Sequence, residues 1–138
     1  GAPLPLVLLT GAAGSVGTIL RTHWAQQQSG APRFRLRLAD LPNPTIRGGA
    51  ETGGTSLRDT LAPHEEVVEF DCADYDAFLA ACNGVHTVVH LAADPSPSAD
   101  FYGSLLQRNI VGESLSSFAF RVGHATVCCH RVLSRAWP

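Results

Sequence analysis

Leu4-Pro5-Leu6-Val7-Leu8-Leu9-Thr10 is an unbroken apolar run that passes directly into Gly11-Ala12-Ala13-Gly14-Ser15-Val16-Gly17, with its glycines three residues apart. A run of this kind fits a strand buried on both faces, and such strands belong to parallel sheets covered by helices on either side. From Ser15 to Gln28 the apolar Val16, Ile19, Leu20 and Trp24 recur at helical spacing, and Ser29-Gly30-Ala31-Pro32 supplies the stop. Buried strand, glycine turn and helix therefore follow one another without a linker, which already restricts the chain to helix-covered parallel sheets.

The same order continues downstream. Phe34 to Ala39 is predicted as a second strand, with Arg33, Arg35 and Arg37 alternating against Phe34, Leu36 and Leu38, so that one face meets water. Phosphate binding by these arginines is the rival reading, and a solvated strand face is the preferred one. Leu41 to Pro63 has two Gly-Gly pairs, Pro42, Pro44 and no period, and connections of that length tend to be functional or mobile. Val67-Val68-Glu69-Phe70 reads as a third strand and Asp74 to Cys82 as a short helix capped by Asp and ended by Asn83-Gly84. Val85 to Leu91 is a fourth strand, Pro95 and Pro97 mark a loop, and a helix is expected from about Phe101 through Val111. The expected fold class is α/β, a Rossmann-like doubly wound parallel sheet truncated after about four strands.

The glycine triplet carries the chemistry. It closes a buried strand and opens a helix, the context in which a dinucleotide is held. Gly11 permits the turn, Gly14 admits a pyrophosphate to the backbone, and Gly17 allows the helix to pack close to the sheet. The first amides of the helix, at Ser15, Val16 and Gly17, face the negative charge. Asp40 ends the second strand 23 residues after Gly17. A carboxylate there can accept hydrogen bonds from the adenosine ribose hydroxyls of NAD and repels the additional phosphate of NADP, so NAD is expected in preference. The bland alternative is a glycine turn serving another ligand or none.

With these residues in place the sequence resembles the extended short-chain dehydrogenase/reductase family, the NAD-dependent epimerase/dehydratase group. Thr10 to Gly17 has that family's T-G-x-x-G-x-x-G form, and three further matches follow in order. Asp71-Cys72 is similar to the family's Asp-plus-small-residue step, which implies adenine contact. His90-Leu91-Ala92-Ala93 is similar to its H-x-A-A segment, which implies that Leu91, Ala92 and Ala93 pass the nicotinamide-side ribose and that His90 lines the cofactor cleft. Asn109-Ile110-Val111-Gly112 matches its N-x-x-G motif, where Asn109 supports the helix and the active-site water path. The resemblance covers about Pro5 to Gly112, reads most like the uronate-dehydrogenase-like branch, and implies hydride transfer between NAD and a hydroxyl or carbonyl of a sugar-like substrate.

The departures are as informative. The family's acid/base Tyr and its partner Lys form a Tyr-x-x-x-Lys pair, but this chain contains no Lys and only Tyr75 and Tyr102. Tyr102 falls in the loop before the helix body and does not fill the role. No catalytic residue is therefore assigned, and the chain itself is expected to be inactive. Residues 1–112 are expected to form an incomplete dinucleotide-binding domain and 113–138 a divergent, poorly folded tail. Gly112-Glu113-Ser114 is what GGT-GAG-TC would encode, so a retained intron or frame change at Gly112 is one explanation. With no Met and Gly1 first, less than a whole translation product is expected. A non-catalytic dinucleotide sensor or partner-binding module, burying Phe118, Val127 and Trp137, is one alternative function. A non-functional truncation product with an exposed sheet edge is the other.

The remaining features exclude more than they assert. A net charge of −2 argues against nucleic acid as a partner. No stretch is long enough for a transmembrane helix, and the apolar start lacks the basic residues of a signal peptide, so no membrane partner is expected. Cys72, Cys82, Cys128 and Cys129 form no C-x-x-C pair, which suits reduced thiols and a cytoplasmic location. His124, Cys128, Cys129 and His130 match no zinc spacing, so no metal is expected. His86 reads as a strand-end residue and Asp94-Pro95-Ser96 as a proline turn. The sequence names no protein partner.

Overall fold

The computed structural model describes residues 1–46, 54–94, 98, 100–111, 114 and 127–130. Its elements are β1 (Leu6–Thr10), α1 (Ser15–Gln27), β2 (Arg35–Asp40), a 3-10 turn (Leu57–Thr60), β3 (Glu65–Glu69), α2 (Tyr75–Ala81), β4 (Thr87–His90), a π-helical segment (Phe101–Val111) and β5 (Val127–His130). The five strands are all parallel and lie in the order β3-β2-β1-β4-β5. The chain thus winds outward from β1 to β3, then crosses back to place β4 on the other side of β1. That reversal opens a crevice above the carboxyl ends of β1 and β4, where open parallel sheets bind ligands.

The apolar run of β1 reflects burial on both faces. Leu6 and Leu8 join a cluster with Phe70, Phe78, Ala81, Cys82 and Val88, where α2 covers the sheet. Leu9 joins Leu36, Leu38 and Leu57 in a second cluster, with Leu20 and Trp24 of α1 packed against it. Rings interlock at both covers: Phe70 and Phe78 meet edge-on with centroids 5.7 Å apart, and Trp24 and Phe34 at 5.5 Å. Asp74 caps α2 as expected, its carboxylate accepting from Ala77 N at 3.1 Å. Gln28, at the end of α1, accepts from Arg33 N and Phe34 N through Oε1 and so shapes the turn into β2.

Several segments depart from the reading of the sequence. β3 begins two residues before its first valine, because it is an edge strand whose glutamates are paired. Glu65 bonds Arg21, Glu66 bonds Arg37 at 2.6 Å, and Glu69 bonds Arg58 at 2.8 Å. Charge along an edge also discourages pairing with another chain. Arg37 is more than a solvated side chain: its guanidinium donates to the carbonyls of Ala81 and Asn83 at 2.6 and 2.8 Å, satisfying the end of α2. The long connection after β2 carries structure, with Thr45 bridging Ser56 and Leu57 fully buried beneath it. A fifth strand, β5, adds to the four that the sequence marks. It comes from the segment expected to be poorly folded, and its backbone pairs with β4 from Thr87↔Val127 to His90↔His130. The proline turn after Asp94, and Gly112, His124, Phe118 and Trp137, lie outside the described residues.

Candidate functional site

A cleft of about 560 Å³ opens at the carboxyl end of the sheet. It is built from four successive strand exits. The β1 exit is the glycine turn. Gly11 takes φ +69°, and a Cβ there would stand 2.8 Å from Ala92 N and 2.9 Å from Leu91 C, so only glycine lets the β1 and β4 exits approach this closely. At Gly17 a Cβ would stand 2.3 Å from Gly11 O, which fixes how near α1 lies to the turn. The N-cap of α1 is Gly14, with no side-chain cap hydrogen bond and no acidic residue in the first turn. Ser15, Val16 and Gly17 line the cleft, and no cap side chain or first-turn acid answers their amides, as an anion site at a helix N-terminus requires.

The β2 exit supplies Asp40. Its Oδ2 accepts from Ala13 N at 2.8 Å and its Oδ1 from Leu41 N at 2.8 Å. The carboxylate therefore ties the glycine turn to β2, and lone pairs remain on both oxygens for ligand hydroxyls. Ala12 N adds a second tie, to Ala39 O at 3.2 Å. The β3 exit brings Phe70, Asp71 and Cys72 to the same cleft, and the β4 exit brings Leu91, Ala92, Ala93 and Asp94. Burial, with the nearby Asp71 and Asp40 charges, pushes the Cys72 thiol up to about 12, so it faces the cleft as a neutral, weakly polar group.

The structure gathers Gly11, Gly14, Ser15, Val16, Gly17, Asp40, Asp71, Cys72, Leu91, Ala92 and Ala93 into this one cleft. Sequence reasoning missed a further part of the lining, Leu41 to Thr45. Its signal was Pro42-Asn43-Pro44 directly after the strand; Asn43 takes φ +57°, the left-handed turn conformation that Asn tolerates.

Two expectations need correction. His90 does not line the cleft. It is 4% exposed, and its Nδ1 lies 2.7 Å from the hydroxyl of Thr10, behind the wall that Leu91 and Ala92 form. Tyr102 lies inside the Phe101–Val111 helical segment, not in a loop before it, and is 76% exposed. Asn109, on the same segment, ties down the β4 exit: its Oδ1 accepts from Asp94 N at 2.7 Å and its Nδ2 donates to Asp94 O at 3.1 Å. His86 is an exposed strand-end residue whose Nδ1 meets Thr87 Oγ1. Among the described residues no cluster of His, Cys, Asp or Glu could hold a metal ion, and no helix is long and apolar enough to cross a membrane.

A parallel sheet in this order, with a glycine turn and an uncapped helix at its switch point, defines a Rossmann-type α/β fold. No family model matches the chain. An NAD-dependent glucose-6-phosphate dehydrogenase from Haloferax volcanii is 36% identical over 106 residues, which is 77% of this chain and 34% of that protein. The solved structure of uronate dehydrogenase from Agrobacterium tumefaciens, complexed with NAD, is similar with a TM-score of 0.60 and 32% identity, over 86% of this chain and 37% of that one. Glucuronic acid dehydrogenase from Chromohalobacter salexigens is similar with a TM-score of 0.67 and 26% identity, over 98% of this chain and 44% of that one. The chain resembles the N-terminal part of the extended short-chain dehydrogenase/reductase family, and spans about a third of the length of the curated relative it matches.

Proposed function

We propose that the cleft binds NAD and that the chain is the cofactor-binding portion of an oxidoreductase acting on a hydroxyl or carbonyl of a sugar-like substrate. The observation that carries this reading is the first turn of α1, uncapped and free of acids, aimed with the glycine turn into a cleft that also holds Asp40. The amides of Ser15 to Gly17 would receive the pyrophosphate. Asp40 would accept from the adenosine ribose hydroxyls through the lone pairs that Ala13 N and Leu41 N leave open, and its charge disfavours the extra phosphate of NADP. Asp71 and Cys72 would border the adenine, and Leu91 to Ala93 the second ribose. Bound NAD would supply hydride acceptance; the substrate class rests on the names of the similar proteins.

The residues that would move a proton are another matter. The chain has no Lys, and neither Tyr75 nor Tyr102 lines the cleft. We therefore assign binding, and no turnover, to the chain as it stands, with residues 1–112 as its dinucleotide-binding unit. Neither Cys72 nor Cys82 is in a disulfide, which suits a reducing compartment such as the cytoplasm. The test is fluorescence titration with NADH and NADPH beside a turnover assay with NAD and a panel of uronates and aldose phosphates. The proposal expects tighter binding of NADH than of NADPH and no NADH formation. Equal affinity for both cofactors would remove the role given to Asp40, and NADH formation would overturn the assignment of inactivity.

A further inference from the structure

The Thr10 side chain is the most heavily used polar group beneath the cleft, and nothing in the proposed binding of NAD requires it. It is fully buried at the end of β1, and His90, at the end of β4, is its register partner. Thr10 Oγ1 accepts from Leu91 N at 3.1 Å and from Ala92 N at 3.2 Å, and lies 2.7 Å from His90 Nδ1. A hydroxyl has two lone pairs and one hydrogen. Leu91 N is shared with Thr10 O at 3.3 Å, but its shorter bond is to Oγ1, so the two amides occupy the lone pairs, the hydrogen points to Nδ1, and Nδ1 is bare. Neutral His90 then carries its proton on Nε2. Cys72 is the competing neighbour for that hydrogen, but its thiol stays protonated and is a weak acceptor, so the imidazole nitrogen takes it.

We propose that Thr10 and His90 form a positioning pair for the β4 wall of the cleft. The imidazole, held as the Nε2–H tautomer, takes the Thr10 hydrogen and so turns both Thr10 lone pairs toward the amides of Leu91 and Ala92. Those two residues line the cleft, and their backbone is where Gly11 makes its closest approach. An Nδ1–H on His90 would compete for the same Thr10 oxygen and release one of the two amides. The effect on cofactor affinity rests on the dinucleotide reading of the cleft, whereas the tautomer and the amide bonds do not.

The experiment is carried out on the full chain. The protonation of His90 Nδ1 is read by nitrogen NMR at neutral pH, amide exchange is followed at Leu91 and Ala92, and NADH affinity is measured for the wild type, Thr10→Ser and Thr10→Val. The expected result is an unprotonated Nδ1 and protected amides in the wild type and in Thr10→Ser, with NADH affinity in Thr10→Ser within about threefold of wild type. Thr10→Val leaves Ala92 N without its acceptor and Leu91 N with only the longer bond to Thr10 O at 3.3 Å, so its NADH affinity falls about tenfold or more and both amides, Ala92 above all, exchange faster. A protonated Nδ1 in the wild type overturns the proposal. So does a folded Thr10→Val with wild-type affinity and protected amides. If Thr10→Val does not fold, the tautomer and Thr10→Ser decide the matter. If the wild type binds no NADH, the dinucleotide reading fails, and the positioning pair stands or falls on the ring nitrogen and the two amides alone.

Discussion

Replacing Gly17 by Ala tests how the site is built. Within an α-helix Ala is favoured over Gly by roughly 0.5–1 kcal/mol, so on propensity alone the variant would be more stable. The structure reverses that sign. The new Cβ would stand 2.3 Å from Gly11 O, 2.9 Å from Ala12 Cα and 3.0 Å from Ala12 O, all backbone atoms. Ordinary contact between carbons needs about 3.5–4.0 Å, so α1 would have to retreat by about 1 Å. The turn cannot retreat in its place, because Gly11 is pressed against Leu91 and Ala92, and Ala12 N and Ala13 N are bonded to Ala39 O and to Asp40. Overpacking of this kind costs about 1–3 kcal/mol, which against the propensity gain leaves a net loss centred on roughly 1 kcal/mol and a fall in Tm of several degrees. Gly30→Ala is the control, since a Cβ there meets nothing within 4 Å. Thermal unfolding by circular dichroism reads both, and a Gly17→Ala chain as stable as Gly30→Ala would refute the reasoning.

Phe78 is 1% exposed and touches the rings of both Phe70 and His90, so Phe78→Ala should cost about 3–5 kcal/mol in urea unfolding, and a loss below about 1 kcal/mol would contradict the packing described. Burial alone would raise the Glu65 carboxyl, but the Arg21 hydrogen bonds, Ala62 N and the Arg21 and His64 charges outweigh it and hold the group below its usual value. Such a group contributes stability above its unfolded pKa of about 4.3 and loses it as pH falls through its folded value. The stability gap between wild type and Glu65→Gln should therefore be widest above about pH 5 and close under acid; a gap independent of pH would contradict the pairing. Cys72, pushed up to about 12, should resist a thiol-alkylating reagent at neutral pH until the chain is unfolded, as mapped by peptide mass analysis; labelling in the native state would show an exposed thiolate.

Legibility in the sequence followed locality. β1, the glycine turn, α1 and Asp40 could be read because each is fixed within a few residues, by burial on two faces, by a backbone that needs glycine, or by helical periodicity. The Leu41–Thr45 part of the lining was not legible, since no period marks it. Its position comes from bonds that cross the loop, Ile46 N to Thr55 O at 3.0 Å and Leu57 N to Pro44 O at 2.9 Å, and from the burial of Leu57. β5 was missed for a related reason: Val127-Cys128-Cys129-His130 lacks flanking strand signals, and its extended backbone is set by pairing with β4, far away in sequence. His90 was placed in the cleft by motif, yet strand alternation puts it with Leu8 and Val88, on the face that α2 covers. Arg37 looked solvent-facing because alternation reports the face of a strand and not what packs over it.

The most direct test of the central claim is calorimetric titration of the full chain with NADH, beside Asp40→Ala. The account predicts binding in the micromolar range that weakens by tenfold or more in the variant, where the ribose acceptor and the tether to Ala13 N are both lost. An absence of binding heat by a cooperatively folded wild-type chain would contradict it, and so would equal affinity in the two proteins.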